Sequence, residues 1–531
     1  MQQLDDILKW FGVEASGWSV SVCLFLLFLS LLYWYSISPY SVLERCGIKH
    51  PKPSPFFGNL MMFRDGFFKA QSDLIKKYGR ICGYYIGRRP IVIIADPDML
   101  RQVMVKEFNK FPNRMTVRGT TKPMSDSLVM LKGEQWKRVR SILTPTFSAA
   151  KMKEVSLAFL PKCECFGCFT MDVIASVAFG TQVDSQNNPD DPFVHHASKF
   201  FAFTFFKPLM IFFMAFPFLL QPLAGLLPNK SRDEMNSFFI QCIQKMIKQR
   251  DDLPPEQRRR DFLQLMLDVR ASSKYLSLEH FDVVNDADEQ ACTEQGMDNG
   301  QENGPGNEST KRAQQKRMMT EDEIVGQSFI FLLAGYETSS NTLAFACYLL
   351  ALHPEFQKKL QEEVDEFFSR HETADYSNVQ ELKYLEMVIC ETLRLYPPAF
   401  RVARDVDQDT VVNGQLLPKG SSLEIPAGYL HYNPEHWTEP EKFIPERFTP
   451  EAKASRHPFV YLPFGAGPRS CVGMRLAQLE IKMALLHIFR RFDMMACEDT
   501  EVPLELKSQT TLGPKNGILV KITKRENFED F

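Results

Sequence analysis

The stretch PFGAGPRSCVG, residues 463–473, decides how this chain is read. It sets one cysteine, Cys471, after a run of glycines and prolines and directly before MRLAQLEIKMALLHIFRRF, whose apolar residues recur at helical spacing. Four chemistries use such a thiol. A disulfide is disfavoured, because the 12 cysteines are scattered and lack the dense regular spacing of a secreted framework, which points to a reducing compartment. A catalytic nucleophile wants a base beside it, and the neighbourhood offers only His457 and His487, the latter about four turns along the following helix. A buried structural cysteine is the commonest fate of a lone Cys. The surroundings favour the fourth, a metal-bound thiolate. Unpaired N–H groups at a helix N-terminus favour the anion. Gly465, Gly467 and Gly473 let a flat ring lie against the backbone, Arg469 offers a planar cation to a carboxylate on that ring, and Phe464 packs beside the sulfur and excludes water.

Working outward, 531 residues with 44% hydrophobic and 24% charged composition can bury a large core. A formal net charge of -3 gives no global argument for nucleic acid. The excess of Phe, 44 against 15 Tyr and 5 Trp, hints at an apolar cavity or lipid contact. The cluster KCECFGC, with Cys163, Cys165 and Cys168, lacks a second CxxC or a nearby His pair and is not read as a zinc site.

No charge falls between Glu14 and Glu44, and WSVSVCLFLLFLSLLYWYSI, residues 18–37, is long enough for a bilayer that needs about 20 residues. Aromatic residues mark both ends. Acidic residues precede the span and Arg45, Lys49 and Lys52 follow it, so the bulk of the chain is expected to face the cytosol. A cleaved signal peptide fits less well, lacking a basic start and a small-residue cleavage site. The prolines of HPKPSPFFGNL, residues 50–60, predict a stiff extended hinge. The expected division is a membrane anchor over residues 1–44 and a catalytic domain over 45–531.

Helical periodicity dominates the body, with short β-like runs such as ICGYYIGRRPIVIIA. The fold class is therefore mainly α with a minor β lobe. Residues 285–317 hold almost no large apolar side chains and are expected to form a disordered loop; their sequon at Asn307 is read as chance. The second apolar region, residues 200–227, is broken by Pro208, Pro217 and Pro222, and is read as a pair of short helices dipping into the membrane face and roofing an apolar pocket.

FGAGPRSCVG resembles the haem-binding loop F-x-x-G-x-R-x-C-x-G of the cytochrome P450 superfamily, and further motifs follow in order over nearly the whole chain. The resemblance implies the P450 fold, a haem b cofactor and Cys471 as its axial iron ligand. Glu391 and Arg394 in ETLRLYPP, with Arg447 in PERF, resemble the structural network that braces the haem loop; Trp136 and Arg140 in GEQWKRVR resemble a pair that donates to a haem propionate. Arg114 and Arg404 resemble further propionate contacts. Ala334, Gly335, Tyr336, Glu337 and Thr338 are similar to the motif of the long distal helix, where Ala334 and Gly335 leave room for a ligand and Glu337 and Thr338 relay protons.

Within the family, stretches such as DEIVGQSFIFLLAGYE and LGPKNG resemble the branch that rearranges prostaglandin endoperoxides, relatives of the drug-metabolising 3A group. That implies isomerisation of prostaglandin H2 to thromboxane A2, with a competing fragmentation to a C17 hydroxy acid and malondialdehyde, at the endoplasmic reticulum membrane. The branch carries an apolar residue where this chain has Thr338, so an oxygen-activating alcohol is retained. This leaves open an NADPH-dependent monooxygenase of steroids, fatty acids or xenobiotics, served by a flavoprotein reductase docked on Lys132, Lys137, Arg138, Arg490 and Arg491. The chain is also short between residues 150 and 170 by comparison with the family, which leaves a haem-inert membrane protein as a third reading.

Overall fold

The apolar spacing read above becomes helix in the computed structural model, which describes residues 17–115, 119–147, 166–181, 183–188, 190–201, 206, 208–219, 230–259, 261–270, 275–276, 315–316 and 318–525. The shortened stretch near 150–165, with Cys163 and Cys165, lies outside the described residues. So does the 285–317 loop, apart from Gln315 and Lys316, which pair antiparallel with Tyr275 and Leu276.

Helix α1, Gly17–Ile37, is 21 residues of almost uniformly apolar sequence and is about 31 Å long at 1.5 Å per residue. Its Leu, Phe and Trp side chains are exposed, as expected of a helix whose solvent is lipid. It is the one helix among the described residues long and apolar enough to cross a membrane.

The predicted hinge is not one. Chain freed from helix by its prolines folds back on the sheet lobe, where edge-strand groups need partners. Tyr40 Oη donates to Ser54 O at 2.8 Å, Asn59 Nδ2 donates to Lys52 O at 3.1 Å, and Asn59 Oδ1 accepts from Tyr85 N at 2.9 Å. Gly58 closes the contact with φ 62°; a Cβ there would sit 2.5 Å from Tyr85 O.

Next come α2, Phe67–Tyr78, and the antiparallel pair β1, Ile81–Ile86, and β2, Arg89–Ile94. The body continues with α3, Gly133–Leu143; α4, Phe166–Phe179; α5, Pro192–Phe201; α6, Pro208–Ala215; α7, Lys230–Asp251; and α8, Phe262–Arg270. The apolar 200–227 region thus gives the end of α5, then α6 and a single turn at Pro217–Leu219, with Leu209, Phe212 and Phe218 exposed. Residues 220–229 lie outside the described residues. Tyr35, near the end of α1, stacks on Phe216 with ring centroids 6.0 Å apart, and Arg88 lies 3.6 Å over the Tyr35 ring.

The spine is α9, Glu321–Leu352, whose 32 residues run about 48 Å. Thr320 and Glu323 form a capping box at its start. It packs against α4, α7, α8 and three later helices: α10, Pro354–Arg370; α11, Lys383–Leu395; and α12, Met474–Arg491. The sheet is completed by β3, Val402–Asp405, and β4, Ser422–Ile425, in the order β1-β2-β4-β3 with β2 and β4 parallel. A hairpin of β5, Leu506–Ser508, and β6, Leu512–Pro514, lies near the C-terminus. One buried apolar cluster fills the helical body and a second the sheet lobe.

Candidate active site

The loop over residues 463–473 ends in Gly473, which precedes the first turn of α12. Cys471 N donates to Phe464 O at 2.9 Å, so the loop is tied across its own mouth. Cys471 is exposed, yet burial pushes its thiol pKa up; both hold only if the sulfur lines a hollow walled by protein. The Gly473 N–H and the charges of Arg140 and Arg114 pull the other way. The Gly473 N–H is the largest of these, as the helix terminus leads one to expect, and burial opposes it. Phe464 is half-buried and packs on the helical core.

The three glycines divide by role. A Cβ on Gly467 would come within 2.2 Å of Met104 O, so close backbone approach requires glycine there. Gly473 has nothing within 4 Å, and Gly465 only Ser470 Cα at 3.9 Å, leaving that face of the loop open.

Around the loop gather the buried guanidinium groups of Arg140, Arg404 and Arg469 and half-buried Arg114. Arg469 does not wait for a carboxylate. Its Nε, Nη1 and Nη2 donate to Pro112 O, Leu128 O and Leu131 O at 2.9, 3.2 and 3.0 Å, and it lies 3.9 Å over the Trp136 ring. Trp136 is thereby a buried platform beneath that arginine. Burial first, then Arg114, Arg404 and Arg140, lowers the Arg469 pKa to about 8. Burial and the charge of Arg114 lower that of Arg404 to about 9. Because guanidinium stays protonated in proteins, these shifts signal positive charge in search of an anion. The Nε atoms of Arg114 and Arg404 are buried without a hydrogen-bond partner among the described residues. A flat group with two carboxylates and a metal that takes sulfur fits these residues.

Behind the loop, Glu391 and Arg394 on α11 are fully buried and bidentate, at 2.7 and 2.8 Å. Arg447 Nε reaches Glu391 Oε1 at 3.3 Å. The remaining donors of Arg394 hold His431 O, Pro440 O and Lys442 O. Sequence reasoning missed the next link. His431 Nδ1 pairs with Arg394 O at 3.2 Å and its Nε2 accepts from Leu462 N at 2.9 Å, joining the ion-pair network to the cysteine loop. Burial, then Arg394, lowers its pKa to about 3, so it is the neutral tautomer that makes both bonds. No local pattern marks it; the signal lies 37 and 31 residues away along the chain.

On α9, Ala334 is exposed in the middle of a largely buried helix and so faces an opening. Gly335 does not: a Cβ would lie 3.0 Å from Ile174 Cγ1, so its small size admits α4 and leaves no room for a ligand. Thr170 Oγ1 donates to Tyr336 O at 3.0 Å across that contact. Thr338 Oγ1 donates to Ala334 O at 2.7 Å. Glu337 is buried and linked to Thr511, Asn341 and Lys507. Of the charges expected on a docking face, Arg138 is engaged by Glu323 and Met318 O, Lys137 by Glu134, and Lys132 by Asp405; Arg490 stacks on Phe368.

A thiol at the mouth of α12, a buried cation cluster around it and a small-residue face on the long helix together define a haem-thiolate site, and the family model for cytochrome P450 matches residues 48–290 and 304–522. The chain belongs to the cytochrome P450 family, whose cofactor is haem b. It is 46% identical to thromboxane-A synthase of Macaca fascicularis and 46% to that of Mus musculus, each over 98% of this chain and 100% of the relative. It is 36% identical to cytochrome P450 3A13 of Mus musculus over 94% of this chain and 95% of that relative.

Proposed function

We propose that this protein is an isomerase that rearranges prostaglandin H2 to thromboxane A2 at a thiolate-ligated haem, with fragmentation to a C17 hydroxy acid and malondialdehyde as the competing outcome. The observation that carries it is the 46% identity to thromboxane-A synthases against 36% to a 3A relative, at nearly full coverage of both.

In this reading Cys471 would hold the haem iron through its sulfur. Arg114, Arg404 and Arg140, with Trp136, would hold its propionates, while Arg469 donates to Pro112 O, Leu128 O and Leu131 O and stacks over Trp136. When bound, the haem supplies an iron centre that splits O–O bonds, thiolate donation favouring the cleavage. Glu391, Arg394, Arg447 and His431 would hold the cysteine loop in place. Ala334 gives the substrate access to the open face of α9, and Gly335 sets the approach of α4 behind it. Phe464, whose carbonyl accepts from Cys471 N, would flank the sulfur. Residues 1–44 serve as the anchor in the endoplasmic reticulum membrane and residues 45–531 as the catalytic domain facing the cytosol.

Thr338 favours a second reading, a reductase-dependent monooxygenase, since an alcohol on the face of α9 that carries Ala334 would suit oxygen activation. Purified, haem-loaded protein given prostaglandin H2 without reductase or NADPH decides between them. Thromboxane and the C17 acid are expected under the first reading. Turnover that begins only when reductase is added supports the second and overturns the first.

A further inference from the structure

Glu337 and Thr338 are neighbours in sequence, but each has its own partners. Thr338 spends its hydroxyl proton on Ala334 O at 2.7 Å. The Glu337 carboxylate turns to the C-terminal hairpin: its Oε1 accepts from Thr511 Oγ1 at 3.3 Å and from Asn341 Nδ2 at 3.4 Å, and lies 3.5 Å from Lys507 Nζ. Asn341 Nδ2 also donates to Leu512 O at 3.1 Å, which ties α9 to β6. Gly513 makes room for both arms. A Cβ there would sit 2.9 Å from Asn341 Nδ2 and 2.9 Å from Lys507 Cε. Glu337 is buried while the Lys507 side chain is 46% exposed, so the grip on the acid reaches from the surface into the core.

From this geometry we infer that the β5–β6 hairpin is a clamp that withdraws Glu337 from Thr338, restricting the site to O–O cleavage that moves no proton. Lys507 and Thr511 are its positioning residues. The inference rests on the endoperoxide reading for its purpose: an endoperoxide carries carbon on both oxygens and needs no proton transfer to open by homolysis. Oxygen activation does need one, and an acid bound elsewhere does not supply it. The clamp explains how a chain that keeps Thr338 can favour isomerisation.

Cumene hydroperoxide is the probe, used with the full-length haem-loaded protein. Homolysis releases an alkoxy radical with one electron of the O–O bond, and that radical loses methyl radical to give acetophenone. Heterolysis carries the hydroperoxide proton to the departing oxygen, which leaves with both electrons as 2-phenyl-2-propanol; the metal centre supplies the balance of one or two electron equivalents. Lys507→Met and Thr511→Val are expected to raise the ratio of alcohol to ketone on the order of tenfold, below the full 10²–10⁴ of a positioned general acid. Adding Glu337→Gln should return the ratio to its starting value, and Lys507→Arg should leave it there.

Hydrogen exchange over residues 506–514 reads the contact independently of turnover. Lys507→Met and Glu337→Gln should each speed it, and the double variant no more than either alone. Additive effects on exchange, or a product ratio that ignores Lys507, would overturn the inference. If the wild type leaves prostaglandin H2 unchanged, the proposed function fails while this test on a simple hydroperoxide still stands.

Discussion

Glu480 shows how one side chain can set a pH dependence unrelated to the chemistry. It sits on α12, buried, with Oε1 unpartnered among the described residues and only Ser339 to lower a pKa that burial pushes up to about 8. In the unfolded chain the carboxyl ionises above its ordinary value near 4.5, whereas in the fold it stays neutral. Its contribution is fully present below that value and is lost as pH rises to about 8, at about 1.4 kcal/mol per pH unit. Glu480→Gln should therefore match the wild type at pH 4 and exceed it increasingly toward pH 8 in urea midpoints. Parallel curves would show that the carboxyl is solvated. At this scale the sequence was legible where motif and chemistry coincide, in the buried network of Glu391, Arg394 and Arg447. It was silent on His431 and Lys507, whose partners come from distant segments, and it assigned Gly467 and Gly335 to ligand space although a carbonyl and an isoleucine demand them.

Elements were legible from periodicity wherever one face is apolar, as in α2, α10 and α12. The proline-rich hinge was misread because a segment barred from helix still needs hydrogen-bond partners, and β1 provides them. The Glu391 network ties α11 to the segments carrying His431, Pro440 and Arg447, so its removal acts on several elements at once. Glu391→Ala leaves Arg394 buried and uncompensated, a loss of about 3–5 kcal/mol. Haem content of the purified variant should fall with stability. Full haem loading and an unchanged urea midpoint would mean that the network is dispensable.

Among the described residues, two large apolar cores, a small third cluster around Trp437, a long central helix and an exposed apolar N-terminal helix make up the fold. Tyr35 and Arg88 join the end of α1 to the sheet lobe and to the loop after α6, and Tyr40 and Leu43 add hydrogen bonds to Gly87 and Tyr85, so anchor and body meet over several contacts. Deleting residues 1–44 should release the protein from membranes in alkaline carbonate, whereas the full chain should stay in the pellet; equal extraction would refute the anchor. The mainly α class with a minor β lobe followed from composition and periodicity, while the packing of α4 against α9 had no sequence signature. The account as a whole turns on the donor to the metal. In the reduced, carbon monoxide-bound haem-loaded chain, a red-shifted Soret band that is lost in Cys471→Ser is the predicted result. A spectrum typical of histidine or water ligation in the wild type, or one unchanged by that substitution, would contradict it.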